Sequence, residues 1–274
     1  MTVFATPTPI TATVVAAGAR VRVTATARTD TVVRVEPVDR TSEAHIKVAE
    51  GTRVDFTGDR LSVKTTASGA KTGSVAVTID LPAGSALVAY LAHAGVEADG
   101  AFGDCELHAA SSRVRLGRVE ALRANIAAGE LVIDHVAGPV TIDGSVVVTR
   151  IGEVGGALRL TGSGGRTWIG HARADVDFAG GSGGFDIDRA DGDVTARTGD
   201  GAIRIGRPTR GRAGSANRSG TPEVGLGEGA AARLDLDSER GSVRDRVTSH
   251  DGPDAVGVHA RTRQGDIVVH RAAG

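Results

Sequence analysis

The stretch "GDVTARTGDGAIRIG", residues 192–206, restarts one small unit twice: a glycine, a gap, then two apolar residues flanking a polar one. A nine-residue spacing carried outward from it collects Leu131, Val140, Thr149, Leu158, Thr167, Val176, Phe185, Val194 and Ile203 in one row. Two residues later a second row reads Ile133, Ile142, Ile151, Leu160, Ile169, Phe178, Ile187, Ala196 and Ile205. Sixteen of these 18 positions are apolar, where a 40% apolar chain gives about seven by chance, so the period is a property of the sequence. The residues between the rows are mostly polar: Val132, Thr141, Arg150, Arg159, Trp168, Asp177, Asp186, Thr195 and Arg204. In-out-in over three residues is the alternation of a β-strand with one buried face. Gly129, Gly138, Gly156, Gly165, Gly183, Gly192 and Gly201 sit two residues ahead of their rows, where a turn needs freedom from a Cβ.

A strand of three to five residues is unstable alone, but in a coiled chain each strand pairs with the strand one coil earlier and stacks its apolar pair on the pair below. The spacing therefore predicts an all-β fold, a parallel β-solenoid with about nine residues per side. A two-sided coil of about 18 residues and a three-sided coil of about 27 residues both fit. The rows extend upstream through Val114/Leu116, Cys105/Leu107 and Val96/Ala98, so the repeat region is placed at 96–274. Downstream they break at an expected insertion loop, 207–222, and return as Val224/Leu226, Leu234/Leu236, Val256/Val258 and Ile267/Val269. Residues 1–95 carry irregularly spaced alternating runs such as "RVRVTATA" and "SVAVTIDLPAG", joined by turns such as "TGDR". They predict an N-terminal antiparallel β region that caps the open end of the solenoid, since raw strand edges invite aggregation.

Composition narrows function by exclusion. Glycine supplies 39 of 274 residues, about twice the usual share, without a collagen triplet. The net charge of -1 argues against a dedicated polyanion binder, so no nucleic-acid partner is expected, and the excess of arginine over lysine reads as genome composition. The single cysteine, Cys105, allows neither an intrachain disulfide nor a thiolate metal cluster. No basic residue precedes Arg20 and no apolar run approaches a signal core or a membrane span, which predicts a cytoplasmic protein with no membrane contact.

Three stretches are familiar as a set: "GRTWIG" (165–170), "ARLDLDSERGSVRDRV" (232–247) and "VHARTRQGDIVVHRA" (258–272), together with the opening "ATPTPITATVVAAG" (5–18). They resemble the actinobacterial members of a bacterial β-strand-repeat family of unknown function that carries the label "putative adhesin". The resemblance runs along almost the whole chain. It implies a right-handed β-solenoid with no established catalytic residues, and the label implies export to the cell surface.

Several local patterns invite chemistry and are better read as turns. Ser182 in "GGSGG" has the letters of a nucleophile elbow, yet a strand row follows where that motif needs a helix. The same stretch approaches a calcium repeat with Phe185 where the aspartate belongs. "GLGEGA" (225–230) lacks the helix a dinucleotide site requires. Asp175, Asp177, Asp186, Asp188, Asp191, Asp193 and Asp200 suggest paired carboxylates for sugar cleavage, but glycosidase pairs occupy clefts built by long loops and these loops are short. The eight histidines, His135 and His171 among them, include no close-spaced ligand pair, and no cofactor or metal is expected. "RIGRPTRGRAGSANRSG" (204–220) is basic but has no aromatic for stacking on bases.

Trp168 is the most informative single residue. In the nine-residue frame it points outward, and in a two-sided coil Arg150 stands one coil before it, Asp186 one coil after, and Arg204 beyond. Such a column could anchor a partner, and a local flip could equally bury Trp168 as part of the structure. The sequence thus predicts a non-catalytic scaffold with a protein partner or self-association and little prospect of a small-molecule ligand. Its rivals are a surface adhesin and a carbohydrate-active enzyme on a β-helix.

Overall fold

The computed structural model describes residues 1–65, 73–247 and 255–272, and the chain forms two compact units, 1–137 and 138–274. The first unit holds β1 (Thr2–Ala5), β2 (Thr11–Ala17), β3 (Arg20–Thr26), β4 (Asp30–Pro37), α1 (Glu43–Gly51), β5 (Arg53–Thr57), β6 (Arg60–Lys64), β7 (Val75–Pro82), β8 (Ala86–Ala92) and β9 (Gly95–Val136). One strand stack runs β5, β6, β2, β8 and the Cys105–Ala109 part of β9. The other runs β1, β4, β7, β3 and the start of β9. Antiparallel pairing, expected over 1–95, joins β1 to β4, β4 to β7 and β5 to β6; the same segment also pairs parallel, β2 with β6 and β8, and β3 with β7 and β9. The β5–β6 link is the expected "TGDR" turn, where Gly58 takes φ +63° at the first of two linking residues. The short helix α1 lies against β4 and β7 and buries Val48.

The second unit holds β10 (Val140–Val154), β11 (Leu158–Gly164), β12 (Arg166–Ala172), β13 (Val176–Ser182), β14 (Gly184–Ala190), β15 (Val194–Asp200), β16 (Ile203–Pro208), β17 (Arg212–Ser219), β18 (Pro222–Leu226), β19 (Ala232–Ser238), β20 (Val243–Asp245), β21 (Val256–Gln264) and β22 (Ile267–Arg271). Val140 pairs with Leu158 and Thr149 with Thr167, so each coil spans two successive rows of the repeat and has two sides. Every described pairing within this unit is parallel. The 16 row positions that lie in this unit, Val140 to Ile205, are all buried, Thr149 and Thr167 included. This continuous interior replaces the length that each strand lacks.

The corners explain the glycines. Gly165, Gly183 and Gly201 hold φ of +105°, +103° and +137°, a region where a side chain is strained. A Cβ on Gly183 would also overlap the carbonyl oxygen of Gly165, and one on Gly201 that of Gly183. The chain can turn this tightly only without side chains at these points.

The insertion loop expected at 207–222 is not a loop. Arg212–Ser219 is strand β17, and Val194 pairs with Ala213, a single position beyond the regular coil step, so the insertion is one residue. Its inward positions, Ala213, Ser215 and Asn217, are small or polar, which hides the row from a test for apolar pairs.

The order of coils departs from the order of the chain at one end of each unit. In the second, β21 lies between β17 and β19, and β22 between β18 and β20, so the last coil is slotted one place in. In the first, the β2–β3 coil lies between β6–β7 and β8–β9. Among the described residues no helix is long and apolar enough to cross a membrane.

Candidate functional site

The Trp168 column assembles in the register that the two-row coil dictates. Arg150 on β10 pairs with Trp168 on β12, Trp168 with Asp186 on β14, and Asp186 with Arg204 on β16. The flanking residues Ile151, Ile169, Ile187 and Ile205 all point into the core, which turns the four column residues outward. Trp168 is half-buried, and its ring lies along its own strand toward Gly170, whose missing side chain makes the room.

Arg204 is fixed from two sides, its Nη2 2.8 Å from Asp186 Oδ1 and 2.5 Å from Asp188 Oδ1. The ion pair with Asp186, and then the hydrogen bond to Asp188, hold its guanidinium above the usual arginine range despite partial burial. The column continues through Glu223, the register partner of Arg204, to His270, whose Nε2 lies 2.9 Å from Glu223 Oε1 and whose Nδ1 lies 2.8 Å from the Arg271 carbonyl. Acceptors at both ring nitrogens, the carbonyl foremost, raise the His270 pKa. Val148, on β10 two positions before Arg150, is exposed at 37%, and Val146, in register with Gly164 of β11, at 62%; both add apolar surface that the nine-residue rows do not point to. The run "SVVVT" (145–149) is the signal: valines fill outward as well as inward positions there.

The aspartates are occupied between coils. Asp177 Oδ2 lies 3.3 Å from Arg159, Asp200 Oδ2 2.6 Å from Arg218, and the Asp175 and Asp193 carboxylates accept the backbone N–H of Asp193 and Arg212. Asp177 and Asp186 belong to different strand stacks, β11–β13–β15 and β12–β14–β16, and so do not face each other as a glycosidase pair would. Ser182 Oγ donates to the Ser163 carbonyl. Among the described residues no three His, Cys, Asp or Glu side chains group as metal ligands. Cys105 is buried, and desolvation pushes its thiol up to about 12, far from a reactive thiolate.

Among the described residues Asp191 is the most perturbed carboxylate. Partial burial pushes it upward, yet hydrogen bonds from His171 (2.7 Å), Arg189 (3.0 Å) and Thr209 (2.9 Å) outweigh that and hold it at about 2. The three donors come from β12, β14 and the turn after β16, so the carboxylate staples successive corners. A depressed folded pKa stabilises the fold above the unfolded value near 3.8 and loses that stabilisation as pH falls toward 2. Asp191→Asn is therefore expected to flatten acid unfolding between about pH 4 and pH 2, followed by circular dichroism; an unchanged acid limb of the titration refutes the staple.

No protein-family model matches the chain, and no curated protein matches it. Among solved structures it is similar to a protein described as a "putative adhesin" from Bacteroides fragilis, at TM-score 0.34 and 8% identity, covering 98% of this chain and 95% of that one. It is also similar to a "putative cell adhesion protein" from Clostridium sporogenes, at TM-score 0.21 and 9% identity, covering 98% of both chains. Likenesses this remote carry no information about activity.

Proposed function

We propose that the chain is a non-catalytic β-solenoid scaffold that docks a protein partner through the Trp168 column of its second unit, in the cytoplasm. The observation that carries this reading is the register: one coil period sets a half-buried tryptophan between Arg150 and Asp186, with exposed Val148 two positions before Arg150 on the same strand. Tryptophan flanked by charge on a stiff support is the composition of an interface anchor. The parallel ladders on both sides hold these side chains in place before any partner arrives, which lowers the entropy lost on docking. Arg204, clamped by Asp186 and Asp188, is likewise set in advance.

Trp168 is the one tryptophan in the chain, so its emission reports on this surface without labelling. Protein captured from native lysate by the wild type and identified by mass spectrometry is expected to shift that emission on titration. Trp168→Ala should stay folded and lose the captured partner by about tenfold or more in affinity. A partner that binds the variant equally well, or a variant that fails to fold, places Trp168 in the structure and not in the interface. Mass measured across a concentration series tells a second copy of the chain from a different protein.

A further inference from the structure

The first unit carries a groove of about 880 Å³ on the outer face of the β7–β3–β9 stack. At its centre Arg20 on β3 pairs with Gly95 at the start of β9, and on the far side of Gly95 the N–H of Arg113 bonds the Ala94 carbonyl. Two arginine stems thus flank one position without a side chain, about 10 Å apart across three strands. Gly95 has neither usual reason to be glycine. Its φ is not positive, and a Cβ there would meet nothing within 4 Å, in contrast to the corner glycines. Its absence of a side chain leaves an open notch, as glycine does where a ligand approaches the backbone.

The chemistry around the notch is mixed but ordered. Arg20 makes no ion pair among the described residues, whereas Arg22 lies 2.8 Å from Glu97 and Arg113 3.2 Å from Glu130. The Arg113 side chain is 80% exposed, and a pair so open to solvent exchanges readily for a ligand carboxylate. His93, also lining the groove, is the one non-glycine residue with positive φ among the described residues, at +52°. Backbone held in that region marks sites where the surrounding structure imposes a geometry.

These features select among anionic ligands. No Phe, Tyr or Trp lines the groove to stack on a base, and Glu97 and Glu130 on its floor repel the closely spaced charges of a polyphosphate more than the single carboxylate of a uronate seated between the arginines. Its strands β7 and β3 are paired on both edges, so a peptide main chain would find no backbone partners there. Sugar hydroxyls both donate and accept, and so match a floor of carboxylates, guanidinium groups and Thr78. We propose that this groove binds an acidic polysaccharide, with a uronate carboxylate over Gly95 between Arg20 and Arg113. The site is separate from the Trp168 column and does not depend on it.

Calorimetric titration of the full chain with oligogalacturonate, oligoguluronate and hyaluronan fragments tests it. Saturable binding to at least one is expected, weaker by about tenfold or more for the methyl-esterified form, because charge-assisted bonds to arginine are lost. Arg20→Gln and Arg113→Gln should each weaken binding by about fivefold or more, and Gly95→Phe should abolish it while the melting temperature stays put. The proposal is overturned if none of the three uronates binds, if the ester binds as well as the acid, or if inorganic polyphosphate binds more tightly than the uronates. Unchanged affinity in the exposed Arg20→Gln variant overturns it as well, whatever Gly95→Phe does to folding.

Discussion

Gly183→Ala is expected to destabilise the second unit by about 2–4 kcal/mol, from two causes acting at one atom. The first is conformational: at φ +103° an alanine bears the strain of a region L-residues avoid. The second is steric and falls on a neighbouring coil, because the new Cβ would overlap the Gly165 carbonyl oxygen and push apart two corners that stack directly. Gly165 and Gly201 share the geometry, so the displaced backbone has no slack on either side. Thermal unfolding should begin roughly 10 °C lower than in the wild type. Gly95→Ala is the matched control, since its φ is ordinary and its surroundings are open, and it should move the transition hardly at all. Equal melting of Gly183→Ala and wild type would falsify the account of the corners.

Phe185→Ala is expected to cost about 3–5 kcal/mol, the range for removing a fully buried aromatic. Phe185 on β14 stacks on Phe178 of β13 with ring centroids 4.7 Å apart, so the contact joins the two sides of one coil through the interior. It also lies in register between Thr167 and Ile203, one coil to each side. Truncation leaves a void that two coils must collapse into, and ladder hydrogen bonds on both sides resist that collapse. Phe185→Leu should recover most of the loss by refilling the space. Chemical denaturation of both variants reads the difference; a loss below about 1 kcal/mol for the alanine means that Phe185 is not part of a packed interior.

What the chain discloses by itself follows from where its period is regular. From Val140 to Ile205 the rows give strand, facing and coil neighbours together, because every pairing partner lies two rows away. The Trp168 column is legible for that reason, and so in principle is Asp191 with His171, set one coil and two positions apart. Strand β17 escapes the count because Ser215 and Asn217 replace apolar side chains on its inner face and one added residue shifts the rows. The placing of β21 between β17 and β19 has no local signal at all, since an apolar pair does not encode which of two open edges it will join. The groove around Gly95 is invisible for a related reason: Arg20 and Gly95 meet from distant parts of the chain, and nothing in the spacing connects them.

The slotting of the β2–β3 coil between later coils has a kinetic corollary. Thr11 on β2 must await Arg60 and Ala86, both far along the chain, whereas interior coils of the second unit close over two short rows. Closing a loop about four times longer costs only about 1 kcal/mol more, yet such distant closures slow assembly most. Order should therefore spread from the regular middle of the sequence outward, and the most N-terminal coil should be among the last to lock into place.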